Sequence, residues 1–281
     1  MQIIRSIRQL KHIIATIKSE QQTIGFVPTM GFLHEGHLAL VKAAREEAKQ
    51  VVLSIFVNPL QFGENEDFDQ YPRNEAKDLQ LAREYGVDYV FIPEVNEMYP
   101  EAIGVSMAVT KRIGVLCDRS RPGHFSGVLT VLTKLFHLVQ PDFAYFGIKD
   151  AQQIAIVDLL ITDLNFPIKL RMIPTVREVD GLAKSSRNVH LSDLERKEAP
   201  TLYRALLHGK QIMIDGEHSA DKIEGEVIDF LNERVSGKVD YVELLSFPSL
   251  EPIRATDHQV IIALAVQFKK ARLIDNIIFD I

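Results

Sequence analysis

Short apolar runs alternate with helical patterns through the first ~170 residues, and this alternation constrains the fold more than any other feature of the chain. Strand candidates fall at 23–27, 51–57, 88–92, 142–146 and 168–173, with helical patterns at 38–49, 75–85, 126–139 and 150–163 between them. The strand candidates are nearly continuous in apolar residues, as expected where both sheet faces are covered. Single strands alternating with helices imply right-handed crossovers and a doubly wound parallel sheet of the α/β class. Ligands of such sheets bind beyond the carboxyl ends of the strands. At the start of the chain, Ile3, Ile4, Ile7, Leu10, Ile13, Ile14 and Ile17 recur at helical spacing among Arg5, Arg8, Lys11 and Lys18. A transit peptide shares this basic, amphipathic character. Here the pattern runs into the next strand with no cleavable linker, so it reads as a short strand and first helix.

After about residue 175 the pattern changes. Helices are expected at 192–214 and 219–235, then strands near 241–245, 260–268 and 273–279, with turn signals at Asp215-Gly216 and Ser236-Gly237. The expected organisation is a first domain over 1–175 and a smaller α+β domain over 176–281. Hydrophobic and charged contents of 46% and 25% are those of an ordinary globular protein. No run of ~18 apolar residues exists, so no membrane partner is expected. Cys117 is the single cysteine, which points away from disulfides and toward a reducing, cytoplasmic location. A net charge of −6 argues against a nucleic-acid surface.

The segment from Ile24 to His37 is the most informative for function. It reads as an apolar strand, a Pro28/Gly31 turn, then His34-Glu35-Gly36-His37 opening a helix. That layout brings backbone N–H groups, the positive end of a helix dipole and two imidazoles to one point, a site for an anion such as a nucleotide phosphate. Zinc ligation, and a chance pair of surface histidines in a turn that Gly31 and Gly36 make permissive, are the rival readings. The metalloprotease helix places its histidines at i and i+4, whereas these are three apart, and a thiolate-rich site needs more than one cysteine. No resident metal is expected.

Four further segments sit where loops should follow strands or open helices. Asn58 and Gln61, in Phe56-Val57-Asn58-Pro59-Leu60-Gln61-Phe62-Gly63, offer amides for hydroxyls and a carboxylate. Arg121-Pro122-Gly123-His124-Phe125 is a basic turn before a helix. In Phe146-Gly147-Ile148-Lys149-Asp150-Ala151-Gln152-Gln153, Lys149 lies beside a helix N-terminus, unfavourable to the dipole unless an anion joins it. Lys184-Ser185-Ser186-Arg187-Asn188 pairs two cations with two hydroxyls, a combination able to grip a polyphosphate. The stretch 63–67 is a candidate lid by position alone.

Together with Ala271-Arg272-Leu273-Ile274-Asp275-Asn276 near the end, these segments resemble the pantothenate synthetase (pantoate–β-alanine ligase) family over essentially the full length and in the family's order. The His-x-Gly-His element is shared with the wider nucleotidylyltransferase superfamily. The resemblance implies a Rossmann-like nucleotidylyltransferase fold. It implies that ATP and pantoate form pantoyl adenylate and pyrophosphate, after which β-alanine attacks to give pantothenate and AMP. It also implies ATP contacts from Met30, Gly31, Phe32, Leu33, His34, Glu35, Gly36, His37, Gly147, Ile148, Lys149, Asp150, Val176, Lys184, Ser185, Ser186 and Arg187. Among these His34, His37, Lys149 and Arg187 would be catalytic, with His37 the acid. Gln61 and Gln153 would hold pantoate, Gln61 also β-alanine; Mg²⁺ would accompany ATP, and the chain would form a homodimer. Phe32, Ile148 and Lys184 depart from the family's usual residues. The rivals are a nucleotidylyltransferase acting on a phosphorylated acceptor, which needs a second cationic pocket, and a non-catalytic nucleotide-binding module.

Overall fold

The computed structural model describes residues 1–63, 66, 68–254 and 256–281. It divides into two compact units. The first comprises Met1–Val109, Arg121–Ile148 and Ile156–Pro174; the second comprises Thr110–Ser120, Lys149–Ala155 and Thr175–Ile281.

The first unit is built on six parallel strands: β1 (Gln2–Ile4), β2 (Ile24–Thr29), β3 (Gln50–Ile55), β4 (Tyr89–Phe91), β5 (Phe143–Gly147) and β6 (Lys169–Ile173). Their order is β1-β4-β3-β2-β5-β6. The chain therefore winds outward in opposite directions from the central neighbours β2 and β5, the topological switch point at which such sheets bind ligands. Helices α1 (Ile7–Ser19), α2 (Glu35–Glu47), α3 (Glu75–Glu84), α4 (His124–Val139) and α5 (Ala151–Asp163) make the connections. The isoleucine-rich start forms β1 and α1 as its spacing predicts, and α1 buries Leu10, Ile14 and Ile17. Leu40, Val41 and Ala44 of α2 pack with Leu53 of β3 and Val90 of β4 in one core. Elsewhere in this unit Phe26 of β2 meets Phe136 of α4 edge-on, ring centroids 6.4 Å apart.

The second unit has an antiparallel sheet in the order β7 (Lys238–Ser246), β8 (Gln259–Gln267), β9 (Arg272–Asp280). Where one helix is expected at 192–214, the structure has two, α6 (Asp193–Glu198) and α7 (Thr201–Ile214). Pro200 has no N–H to donate to a carbonyl one turn back, so the helix ends before it. With α8 (Ala220–Asn232), α7 buries Leu202, Leu206, Ile223 and Val227 against Ile262, Leu264 and Leu273 of the sheet.

Candidate functional site

In the first unit β2 ends at Thr29, whose hydroxyl accepts the Gly31 N–H at 3.2 Å and donates to the Ser54 carbonyl at 2.8 Å. The chain reverses through Gly31 (φ +84°) and Phe32 (φ +51°), both left-handed. Gly31 has no alternative here, because a Cβ would come within 2.9 Å of Ile55 and 3.0 Å of Asp78. A left-handed phenylalanine costs about 1–2 kcal/mol and needs the surroundings to hold it. Asp78 of α3 does so: its two carboxylate oxygens accept the N–H groups of Phe32 (2.8 Å) and Leu33 (2.7 Å). That carboxyl is buried, and burial pushes its pKa above the usual value against the pull of these two bonds.

The two histidines then cap α2 reciprocally. His34 is the N-cap, and its Nδ1 accepts the Gly36 N–H at 3.2 Å, while the His34 N–H donates to Nδ1 of His37 at 3.3 Å. This is the Ser-x-x-Glu capping box built from imidazoles. The rings lie 4.1 Å apart with a 36° tilt. An Nδ1 that accepts carries no proton, so the bond network assigns each neutral ring the Nε2–H tautomer.

This arrangement alters one expectation drawn from the sequence. The N–H groups of Gly31, Phe32, Leu33, His34 and Gly36 are all given to protein acceptors. The turn is therefore a rigid mount for imidazoles more than a cradle of free backbone donors.

Gln61 is placed beside this turn. Its Nε2 approaches Met30 Sδ at 3.4 Å, and its Oε1 accepts from Asn58 Nδ2 at 3.1 Å. Asn58 is 1% exposed and receives the Tyr99 hydroxyl at 2.9 Å. Its Nδ2 also reaches the Gly127 carbonyl at 3.1 Å. The amide flip of Gln61 is thus set by its neighbours, oxygen toward Asn58 and nitrogen toward Met30. The backbone of Gln61 is held as well, its carbonyl meeting His124 Nδ1 at 2.8 Å. The Arg121-to-Phe125 turn serves this mount: Arg121 Nη1 meets His124 Nε2 at 3.0 Å and its guanidinium pairs with Glu66. Burial raises the Glu66 carboxyl, but the Arg121 bonds outweigh it and hold it below the usual range. Of the lid expected over 63–67, residues 64, 65 and 67 lie outside the described residues. Gly147 and Ile148 follow β5, the strand paired with β2.

In the second unit Lys149 begins the approach to α5, its Nζ 3.4 Å from Asp150. The neighbouring glutamines of α5 divide their work. Gln152, 4% exposed, accepts the Cys117 N–H and donates to the carbonyls of Arg112 and Val115, at 2.9, 3.1 and 2.9 Å. Gln153 is only half-buried. Val176 and Lys184 are brought together across a small hairpin: the Lys184 N–H donates to the Val176 carbonyl at 2.9 Å, and Arg177 bridges Ala183. Lys184 Nζ lies 2.8 Å from Glu178. Ser185 accepts the Arg187 N–H at 3.3 Å, and Ser186 is buried.

Residue-type reasoning missed Asp78, since one acidic residue in a polar helix has no local mark. Its burial and two backbone partners identify it. The pairing of a small hydroxyl or carboxylate with each backbone N–H of a Gly turn was the only available signal, and it does not say which carboxylate.

An open parallel sheet with a histidine capping box at its switch point defines a doubly wound α/β protein whose ligand site lies beyond the carboxyl ends of the strands. The sequence profile described as pantoate-beta-alanine ligase matches residues 2–278, and the chain belongs to that family. A pantothenate synthetase of Bacillus pumilus is 56% identical over 281 residues, covering 100% of this chain and 97% of the relative. The solved pantothenate synthetase of Thermus thermophilus superposes with a TM-score of 0.92 at 43% identity, over 99% of both chains. The pantoate-beta-alanine ligase of Francisella tularensis, complexed with beta-gamma ATP and beta-alanine, gives 0.80 at 32% identity, over 99% of this chain and 97% of that one.

Proposed function

We propose that the chain carries out the reaction its family is named for, joining pantoate to β-alanine at the expense of ATP through a pantoyl adenylate. A carboxylate oxygen of pantoate attacks the α-phosphorus and the bond to pyrophosphate breaks. The β-alanine amine then attacks the activated carbonyl, AMP leaves, and the amide nitrogen gives up a proton. The observation that carries the chemical reading is the histidine capping box, which locks both Nδ1 atoms inward. Two fixed Nε2–H donors suit the charge that grows on the non-bridging and leaving oxygens.

His37 is read as a hydrogen-bond donor rather than the acid. To give up a proton as imidazolium it would first need one on Nδ1, which the His34 N–H occupies. Two imidazolium charges at about 4 Å would also repel by about 1–4 kcal/mol. Lys149 and Arg187 supply the cations, and Met30 through His37, Gly147 through Asp150, Val176 and Lys184 through Arg187 supply the remaining ATP contacts. Gln61, with its amide orientation set by Asn58, holds pantoate and then β-alanine; Gln153 holds pantoate. Mg²⁺ enters with the triphosphate: among the described residues no group of three His, Cys, Asp or Glu is placed to hold a metal. A cation carried by phosphates and few protein ligands fits that donor set. We further place the protein in the cytoplasm as a homodimer; among the described residues no helix is long and apolar enough to cross a membrane.

Pyrophosphate release from purified protein tests the reading. Release should require ATP, Mg²⁺ and pantoate together, with AMP and pantothenate accumulating once β-alanine is added. ATP binding without pyrophosphate under any of these conditions would overturn it.

A further inference from the structure

The motif near the end of the chain, Ala271-Arg272-Leu273-Ile274-Asp275-Asn276, has no part in the chemistry above. In the structure its last two residues lie within β9, paired with Leu264 and Ala263 of the middle strand β8. Successive side chains of a strand point to opposite faces. Leu273 and Phe279, in phase with Asp275, pack in the core under α7 and α8. Ile278, in phase with Asn276, packs with Ala151 and Ala155 of α5. Two adjacent polar residues thus reach two different sides of one sheet.

Each takes hold of a different nucleotide segment. Asp275, 3% exposed, binds Arg177 with both oxygens, at 2.6 Å to Nη1 and 2.9 Å to Nη2. The guanidinium lies 3.7 Å over the Tyr203 ring and donates to the Gly181 carbonyl at 3.1 Å. Arg177 is thereby fixed at both ends of the hairpin that pairs Val176 with Lys184. On the other side, Asn276 Nδ2 donates to the backbone carbonyl of Lys149 at 2.9 Å. The Asn276 N–H returns to Asp275 Oδ1 at 2.8 Å, tying the two clamps together. A buried ion pair of this type is weak evidence for stability and better suited to fixing one geometry.

We infer that Asp275 and Asn276 are the positioning residues of the nucleotide site in the second unit, setting Lys149 and the 176–184 hairpin in register through one rigid strand. The inference rests on the reading that Lys149, Val176 and Lys184 through Arg187 contact ATP.

Four variants test it by KM and kcat for pyrophosphate release, with thermal midpoints measured alongside. Asn276→Ala should raise KM for ATP or lower kcat by about 10–100-fold, the range for small misplacements in a site, with KM for β-alanine unchanged. Asn276→Asp, which sets an acceptor against the Lys149 carbonyl, should be worse than alanine. Arg177→Lys, which keeps the charge but loses the two-pronged bond, should move the same parameters. Lys149→Ala is the control. If it leaves the ATP parameters unchanged, the assignment of the site fails. If it changes them while Asn276→Ala and Arg177→Lys lower only the thermal midpoint, the inference alone fails. Loss of folding in both of those variants would also overturn it, since the pair would then be structural.

Discussion

Replacing Asp78 by asparagine changes one oxygen to an amide nitrogen at the point where the histidine turn is held. The carboxylate accepts two N–H bonds, from Phe32 and Leu33, at 2.8 and 2.7 Å. An asparagine oxygen can take one of them, but its NH₂ faces the other donor. One buried N–H is left unsatisfied, at a cost of about 1–3 kcal/mol. Holding Phe32 left-handed already costs about 1–2 kcal/mol, so the turn loses most of what keeps it there. If its competent population falls by about 1.4 kcal/mol, apparent affinity for ATP falls about tenfold. The thermal midpoint should drop by roughly 2–12 °C, at about 2–4 °C per kcal/mol for a chain of this class. Phe32→Gly in the Asp78→Asn background removes the left-handed cost and should recover part of the ATP affinity.

The pH dependence has a definite sign. Burial raises the Asp78 pKa in the folded state. A raised value means that its favourable contribution is complete below the unfolded carboxylate pKa and is lost as pH rises through the folded one. Asp78's contribution to the stability of the natural chain should therefore be fullest in acid and decline as pH rises through that range, a dependence that Asp78→Asn lacks. Steady-state kinetics for ATP and thermal melts across pH decide the matter. An unchanged KM for ATP in a destabilised Asp78→Asn protein, or no recovery with Phe32→Gly, would refute the reasoning.

Other perturbations have equally concrete expectations. Gly127→Ala puts a Cβ 2.2 Å from the Leu60 carbonyl oxygen and 2.6 Å from the Gln61 nitrogen; overpacking of about 1–3 kcal/mol should displace the Gln61 turn and raise KM for pantoate, and a normal KM would show that this turn is not a substrate mount. His37→Ala should slow adenylation by about 10²–10³-fold, the loss expected for one transition-state donor; an unchanged rate of pyrophosphate release removes His37 from the mechanism. Gln153→Ala should weaken pantoate binding and spare ATP, measured by calorimetry, whereas Gln152→Ala should chiefly lower the thermal midpoint because it opens the clamp on Cys117, Arg112 and Val115. Equal effects of the two glutamine variants on pantoate would undo that division.

Much of the architecture is readable because its causes are local. The isoleucine spacing in α1, the apolar runs of β2 and β3 and the His-x-x-His cap of α2 are each determined within about one or two helical turns of chain. The helix expected over 192–214 overlooked Pro200, a local signal that lay in plain view. The histidine motif, by contrast, misled about its backbone donors. A turn rich in glycine suggests free backbone N–H groups, yet five of them are taken by Thr29, Asp78 and the histidines themselves.

The order and type of the elements, the parallel sheet and the turn that carries the imidazoles are all written in the chain. Side-chain periodicity and capping act between near neighbours, so they leave a readable trace. Packing, and nothing local, makes Asp78 hold a turn 45 residues away, ties Asn58 to Tyr99 and Gly127, and sets Gln152 to clamp while Gln153 stays half-buried. Packing likewise lets one dipeptide of β9 anchor Arg177 and Lys149, 98 and 127 residues distant. Such bonds depend on which groups the fold buries together, and a buried polar group takes whatever partner comes within reach.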